Sequence, residues 1–436
     1  MPKKLLDDCF LHDKDRLRHD DAVALLKSRI VPVTGTERVA IWDAAGRILA
    51  QAAVAARPVP AHTNSAVDGY AISSAHYNGV ENREAGRRFA VLGRAAAGRP
   101  LTDNPPTDTA VRIFTGAIMP EGFDTVAMQE DCSVETTGSG DNEQVTHVTI
   151  PPGLKVGANV RRAGEDVAAG TTLFDAGTLM RPQDAAALAS IGLADVLCHQ
   201  RVRTAILSTG DEVIRAGSRA LQPGEVFDAN APMLTALARA AGADVTDLGV
   251  WPDDASVIQR GLRDAAQRFD IILTSGGASR GEEDHMLSAL DTLGKRHMWQ
   301  LAVKPGRPLM FGQIGDTVMV GLPGNPVAVF VCFLMYVFPM LRRMGGGHWP
   351  EPRRFMLPAA FELPKRKTGR REFFRGILRM TEQGLAVDKF ARDGSGLISG
   401  LRAAHGLIDI GEDVTKVAPG DAVPFIPFSE FGILDA

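Results

Sequence analysis

Asp270-Ile271-Ile272-Leu273-Thr274-Ser275-Gly276-Gly277-Ala278-Ser279-Arg280-Gly281-Glu282-Glu283-Asp284 is the stretch on which the reading of this chain turns. Ile271, Ile272 and Leu273 form a short apolar run rich in β-branched residues, as in a strand covered on both faces. Gly276 and Gly277 remove Cβ atoms, so backbone N–H groups can approach a ligand closely and point at an anion. Glu282, Glu283 and Asp284 then offer hard oxygen ligands of the kind that hold Mg²⁺ beside a phosphate. The same residues also describe a tight strand-to-helix turn with acids in the first helical turn, where they are stabilising in any case. The surrounding chain decides between the two.

From about Arg203 onward, strand candidates at Thr204–Leu207, Asp244–Val250, Asp270–Leu273 and Thr317–Gly321 alternate with helical patterns at Met233–Ala241 and Ser256–Phe269. That alternation predicts a parallel, doubly wound α/β domain over 201–348, with ligands collecting outside the carboxyl ends of its strands. The most apolar run, Val327–Phe338, reads as a buried core helix ending before Pro339. At about a dozen residues it falls short of the ~20 needed to span a bilayer, so no membrane association is expected.

Working outward, Asp20–Ile30 places Val23, Leu25, Leu26 and Ile30 at amphipathic-helix spacing, within an N-terminal helical segment and linker over 1–56. Dense Gly and Pro punctuation from Pro58 to Pro100, followed by strand runs such as Thr125–Met128 and Val145–Ile150, predicts a β-rich inserted domain over 57–165. Residues 166–200 are expected to return and pack with 31–56. After Gly345-Gly346-Gly347 and Pro350, runs at Phe373–Met380, Leu385–Val387 and Ala422–Ile426 predict a compact C-terminal β domain over 349–436. Its basic run, Lys365-Arg366-Lys367 with Arg370 and Arg371, could touch an anion or be a solvated loop. The expected fold class is therefore α/β plus β.

Composition excludes several classes of function. The 436 residues are too many for one core and imply about three domains. With 48 basic and 52 acidic residues, the net charge of −4 gives no general attraction to nucleic acid or anionic lipid. Cys9, Cys132, Cys198 and Cys332 have no paired metal spacing and are expected as reduced thiols in the cytoplasm. Lys3 and Lys4 are followed by acidic and polar residues rather than an apolar segment, so a secretory signal is not expected.

Four further loops carry candidate chemistry. In Asn64-Ser65-Ala66-Val67-Asp68-Gly69-Tyr70-Ala71, Asp68 either shapes a turn or offers a carboxylate across a domain cleft. Thr115, after a strand at Val111–Phe114, either bonds an oxyanion or caps its turn. Leu207-Ser208-Thr209-Gly210-Asp211-Glu212 ends another strand with two acids, and Asn230 beyond it reads as a helix N-cap. Lys304-Pro305-Gly306-Arg307-Pro308 presents two cations on a stiff loop suited to a phosphate or tetrahedral oxyanion. Gly321-Leu322-Pro323-Gly324-Asn325-Pro326 either presents N–H groups at a helix start or merely begins that helix.

Together these segments resemble the molybdopterin molybdenumtransferase family, the molybdenum-insertion enzymes that include the E domain of gephyrin. The resemblance rests on NSAVDGYA (64–71), TGAIMPEGFDTVAMQE (115–130), STGDE (208–212), TSGGASRGEEDH (274–285), KPGRP (304–308), GLPGNPVAVF (321–330) and GSGLISGL (394–401), in order along most of the chain.

The resemblance implies adenylylated molybdopterin and molybdate as substrates, AMP as the leaving product, and molybdenum held by the pterin's dithiolene sulfurs. It carries catalytic roles to Asp68, Thr115, Glu212, Asp253 and Asp284, with Glu212 and Asp284 holding Mg²⁺. Within Trp251-Pro252-Asp253-Asp254 the two acids are hard to separate. It implies substrate binding by Ser275, Gly276, Gly277, Ser279, Lys304, Arg307, Pro323, Asn325 and Pro326. It further implies a cytoplasmic homodimer in which Asp68 and Thr115 reach the partner's α/β domain, with an adenylyltransferase and molybdoenzymes as further partners. Val67, Ala278, Arg280, His285 and Gln300 depart from the family's usual residues. Two other readings remain: a molybdopterin adenylyltransferase, and a non-catalytic scaffold that carries the cofactor.

Overall fold

The computed structural model describes residues 16–78, 86–138, 144–276 and 285–434, with the side chains of 296–300 left aside. Its centre is a six-stranded sheet ordered Asp244–Trp251, Arg203–Thr209, Ile271–Ser275, Thr317–Leu322, Pro308–Ile314, Lys295–Gln300. The first four strands run parallel; Pro308–Ile314 is antiparallel to both its neighbours, so Lys295–Gln300 again shares the direction of the first four. The expected all-parallel sheet is thus a mixed one. Pro308 sits at the first position of its strand, where a missing N–H is tolerated, and hid the apolar run behind it. Gly315, at φ +57°, then turns the chain back into Thr317–Leu322.

Side-chain alternation explains why both faces of this sheet are apolar. Ile206, Ile271, Leu273, Val318 and Val320 pack one way, against the Asn230–Ala240 helix and the long helix from Pro326. Ala205, Leu207, Ile272 and Met319 pack the other way, against Ala255–Ala266 and His285–Leu293. Ile271, Ile272 and Leu273 are all fully buried, as their unbroken apolar run requires.

The long helix does not end before Pro339. It runs 19 residues from Pro326 to Met344, passing Pro339 through a wide π turn at Phe333–Val337 in which Phe338 N–H bonds to Phe333 C=O. The extra residue in that turn accommodates the proline a regular helix would reject. At this length it could cross a bilayer, but 89% of its apolar stretch is buried within the protein. Its apolar faces are already covered.

The N-terminal helix is His19–Arg29, with Asp20 and Asp21 in its first turn, Lys27 and Arg29 in its last, and Ala22 and Leu26 buried. Thr36–Ala40 pairs with Asp195–His199 and Ala53–Val54 with Thr172–Phe174, so chain before and after the insert closes on itself. The insert holds a sheet ordered Thr125–Met128, Gly69–Ile72, Ala110–Ile113, Arg87–Ala95, Gln144–Ile150, Ser133–Thr137. The C-terminal sheet is ordered Val303–Lys304, Arg371–Thr381, Gly406–Ile410, Ala422–Pro427, Phe355–Pro358, with Gly384–Lys389 paired to Arg371–Thr381. Its first strand comes from the α/β segment: Val303 pairs with Arg371 and Lys304 with Glu372.

Candidate functional site

Parallel register brings three loops to one edge. Ser208 lies opposite Ser275, and Ser275 opposite Leu322, so the strands ending there release Gly210–Glu212, Gly276 and Pro323–Asn325 side by side. The C-terminal β domain faces that edge across a cleft of about 610 Å³. Glu212, Asp253, Gly276, Lys304, Arg307, Pro323 and Asn325 line this single cleft.

Local geometry separates the residues that line the cleft from those that support it. Gly210 has φ +128°, and a Cβ there would lie 2.5 Å from Glu212 Oε2, so a side chain is excluded beside that carboxylate. Asp211 turns away and accepts from Asp253 N–H at 3.1 Å, latching the Asp253 loop. Asp254 caps the Ala255–Ala266 helix, accepting from Ser256 N–H at 2.8 Å and Val257 N–H at 2.9 Å. Asp254 is therefore a cap and Asp253 the acid at the cleft.

Asn230 is not the cap the sequence suggested. Asp228 takes that role, accepting from Asn230 N–H at 3.1 Å and Ala231 N–H at 3.0 Å. The Asn230 amide instead donates to Ser275 Oγ and Gly324 C=O, each at 2.7 Å, tying two cleft loops together. Ser275 is buried against Asn230, and Pro326 opens the long helix; neither lines the cleft. Gly277, Ser279 and Asp284 lie outside the described residues, as do Arg280 and the side chain of Gln300. His285 is in the cleft wall.

Asp68 and Thr115 occupy the inserted domain and do not line this cleft. Thr115 N–H and Oγ1–H both donate to Asp68 Oδ1, at 2.8 and 2.7 Å. These bonds, the backbone one foremost, hold the Asp68 carboxyl below its ordinary range. Thr115 thus caps the Asp68 loop.

The C-terminal domain supplies residues to which the motif reading gave no role: Glu372, Phe374, Arg375, Lys389, Phe390 and Asp393, with Ser395 from the GSGLISGL segment. Arg375 is 6% exposed, donates to Leu397 C=O at 3.1 Å and lies 4.8 Å over the Phe390 ring. Burial pulls its pKa below the usual arginine value. Lys389 pairs with Asp393 at 2.6 Å, and Lys304 stands 3.8 Å from the buried Glu372. The signal for Arg375 was present: it is a charged residue within the apolar strand run Phe373–Leu378.

Four carboxylates line the described part of the cleft; Glu372 is paired with Lys304 and Arg370, and Asp393 with Lys389, which leaves Glu212 and Asp253 to face a divalent cation. No group of three or more His, Cys, Asp or Glu residues forms a cage among the described residues. Two hard oxygen donors fit Mg²⁺, which keeps waters and binds through one or two carboxylates plus substrate phosphates.

An acid-and-cation cleft at the carboxyl edge of an α/β sheet, closed by a second domain, defines a protein that handles anionic substrates. Comparison with known proteins places it more narrowly. Family models match consecutively: MoeA N-terminal region (domain I and II) at 17–192, probable molybdopterin binding domain at 205–343, and MoeA C-terminal region (domain IV) at 357–428. A molybdopterin molybdenumtransferase from Haemophilus influenzae is 33% identical over 412 residues, covering 94% of this chain and 98% of that protein. Molybdopterin molybdenumtransferase 2 from Mycobacterium tuberculosis is 34% identical over 414 residues, 92% of this chain and 96% of that one. The solved structure of the molybdopterin biosynthesis moeA protein from Pyrococcus horikoshii matches with a TM-score of 0.79 at 26% identity, covering 95% of this chain and 100% of that one. The chain belongs to the molybdopterin molybdenumtransferase family, enzymes of molybdenum cofactor biosynthesis.

Proposed function

We propose that this protein inserts molybdenum from molybdate into adenylylated molybdopterin, releasing AMP. The observation that carries this reading is the convergence of Glu212, Asp253, Lys304, Arg307 and Arg375 on one cleft. The substrates carry phosphates and a tetrahedral dianion, so they need cations and N–H donors that are already in place before binding. Lys304 and Arg307 lie on a loop tied into the C-terminal sheet, and Arg375 is fixed by carbonyls and the Phe390 ring. Gly276, at φ +91°, leaves the backbone open to the ligand. Glu212 and Asp253 are the residues that would hold Mg²⁺ in this cleft. When bound, that ion offsets the charge that builds on the leaving phosphate. Molybdenum's soft ligands come from the pterin itself, so the three described cysteines, none of them disulfide-bonded, have no ligand role.

We further place the reaction in the cytoplasm and assign a homodimer, in which Asp68 and Thr115 complete the cleft of the second copy. Their position away from their own cleft supports this. Mixing Asp68→Asn with Glu212→Gln subunits tests it: partial recovery of activity supports the exchange, and none refutes it.

The main test incubates the protein with adenylylated molybdopterin, molybdate and Mg²⁺, following AMP release and molybdenum bound to the pterin. Glu212→Gln and Lys304→Ala should each slow both readouts together. Efficient adenylylation of molybdopterin from ATP by this chain alone would favour the adenylyltransferase reading instead. Tight cofactor binding with no AMP release would favour a carrier.

A further inference from the structure

The basic run at 365–371 divides into three parts with different surroundings. Arg366 is spent inward, donating to Gly411 C=O at 2.7 Å and Val414 C=O at 2.8 Å. Arg371 is spent on Asp409 and Asp20, each at 2.6 Å. Of the remaining three, Lys367 and Arg370 line a second pocket of about 390 Å³ together with Arg16, Lys304 and Arg307, whereas Lys365 lines neither it nor the main cleft. This pocket lies behind the main cleft, with the Lys304-Pro305-Gly306-Arg307 loop forming a wall of both.

Charge in this pocket is one-sided. No acidic side chain lines it among the described residues. The buried Glu372, outside the pocket lining, meets Arg370 at 2.8 Å and Lys304 at 3.8 Å. One carboxylate cannot neutralise both Lys304 and Arg370, and Arg16 and Lys367 add two more cations with no ion-pair partner among the described residues. Cations gathered around one concave space repel one another unless an anion joins them. Apart from Thr368 the other lining side chains are small or aliphatic, and none is aromatic, so nothing there would stack on a nucleobase or pterin ring.

We propose that this second pocket binds a tetrahedral oxyanion of multiple negative charge, either a free dianion or the phosphate of a mononucleotide. The loop it shares with the cleft makes it a site distinct from the cleft but adjoining it. The proposal concerns binding alone and stands whether or not the insertion reading holds.

Calorimetric titration of the full chain with inorganic phosphate, molybdate and AMP tests it. Arg16 and Lys367 are exposed, so Arg16→Glu and Lys367→Glu leave the core untouched. Each should weaken one class of oxyanion binding by roughly tenfold or more, the worth of a charge-assisted hydrogen bond. Arg375→Ala, in the main cleft, should leave that class unchanged. If AMP competes for it, the nucleotide phosphate is the source; if only phosphate and molybdate bind, the free dianion is. The proposal is overturned if neither charge reversal alters any binding. It is equally overturned if Arg375→Ala removes all of it, or if no oxyanion binds at millimolar concentration.

Discussion

Substituting Asn230 tests whether the cleft is assembled from loops held in register by one buried amide. Asn230 Nδ2 donates to Ser275 Oγ and to Gly324 C=O, while Asn230 Oδ1 is buried with no partner among the described residues. Asn230→Ala removes two hydrogen bonds worth about 1 kcal/mol each and leaves the buried Ser275 Oγ without that donor at about 1–3 kcal/mol. Deleting an orphaned oxygen returns part of that, so the net loss is about 1–3 kcal/mol. Because Gly276, Pro323 and Asn325 line the cleft on the tied loops, kcat/KM should fall about 10–100-fold, as displacements near 1 Å do. Asn230→Asp is the sharper variant. Ser275 can turn its hydroxyl proton toward a carboxylate, but Gly324 C=O has no proton to offer and would face a like partial charge. Asn230→Asp should therefore be less stable than Asn230→Ala at neutral pH, although it is nearly isosteric with the native residue. Acidification should narrow its deficit, since a protonated carboxyl regains a donor. Urea denaturation of both variants across pH, with steady-state AMP release, reads these effects. If Asn230→Asp matched the wild type in stability and turnover at neutral pH, the tie between the loops would carry none of this weight.

Other outcomes follow from single contacts. Thr115→Val deletes the hydroxyl donor to Asp68 but keeps the backbone N–H, the larger influence, so the Asp68 carboxyl should rise only part of the way to its ordinary value. A carboxyl NMR titration checks this; a complete return would assign the effect to the hydroxyl. Gly210→Ala forces a Cβ against Glu212 Oε2 at a φ of +128°, and should lower activity at least about tenfold. Saturating Mg²⁺ should not restore it. His19 is buried beside Tyr336 with its pKa pulled down to about 4, chiefly by burial. Below the ordinary value of 6.5 the unfolded chain takes up a proton that the folded chain refuses until about pH 4. Stability should thus be full above that ordinary value and fall toward pH 4, by at most about 3 kcal/mol. His19→Gln should flatten that acid limb in urea denaturation, and an unchanged slope would remove His19 as its cause.

Periodicity revealed those elements whose burial is simple. Ile271–Leu273 is apolar on both faces because helices cover both, and that alternation is visible in the residues themselves. Pairing was not visible. Lys295–Gln300 and Pro308–Ile314 turn the sheet antiparallel at one side, through contacts that no local pattern encodes. Pro339 misled because its cost depends on whether the preceding turn can widen, and here Phe333–Val337 does so. Within the site, the glycine loops and clustered charges could be found as loops that follow strands. Arg375 and Lys389 could not be joined to them, because they come from another domain and meet the cleft only after long-range folding. The same limit applies to Asn230, whose side chain suits either a cap or a tie; Asp228, two residues earlier, takes the cap and frees the amide.

The short Val303–Lys304 strand explains why the cleft cannot be assigned to either domain. It leaves the α/β segment, pairs with Arg371 and Glu372 of the C-terminal sheet, and returns through Arg307 and Pro308 into the central sheet. Backbone hydrogen bonds thus hold Lys304 relative to both walls, so a hinge between the domains would have to break that pairing before it moved the lysine. Pro305 and Pro308 limit what the intervening backbone can do, which lowers the entropy lost when an anion binds. Disrupting the pairing should therefore harm anion binding more than removing the basic side chains that lie further out. Arg371→Pro removes the N–H that donates to Ala302 C=O at 2.8 Å, with Arg371→Ala controlling for the lost guanidinium; Lys389→Ala deletes a cation already paired with Asp393. Arg371→Pro should weaken molybdate binding at least about tenfold beyond Arg371→Ala, while Lys389→Ala should change it by less than about threefold. The reverse order would mean that summed charge, rather than a fixed loop, sets affinity.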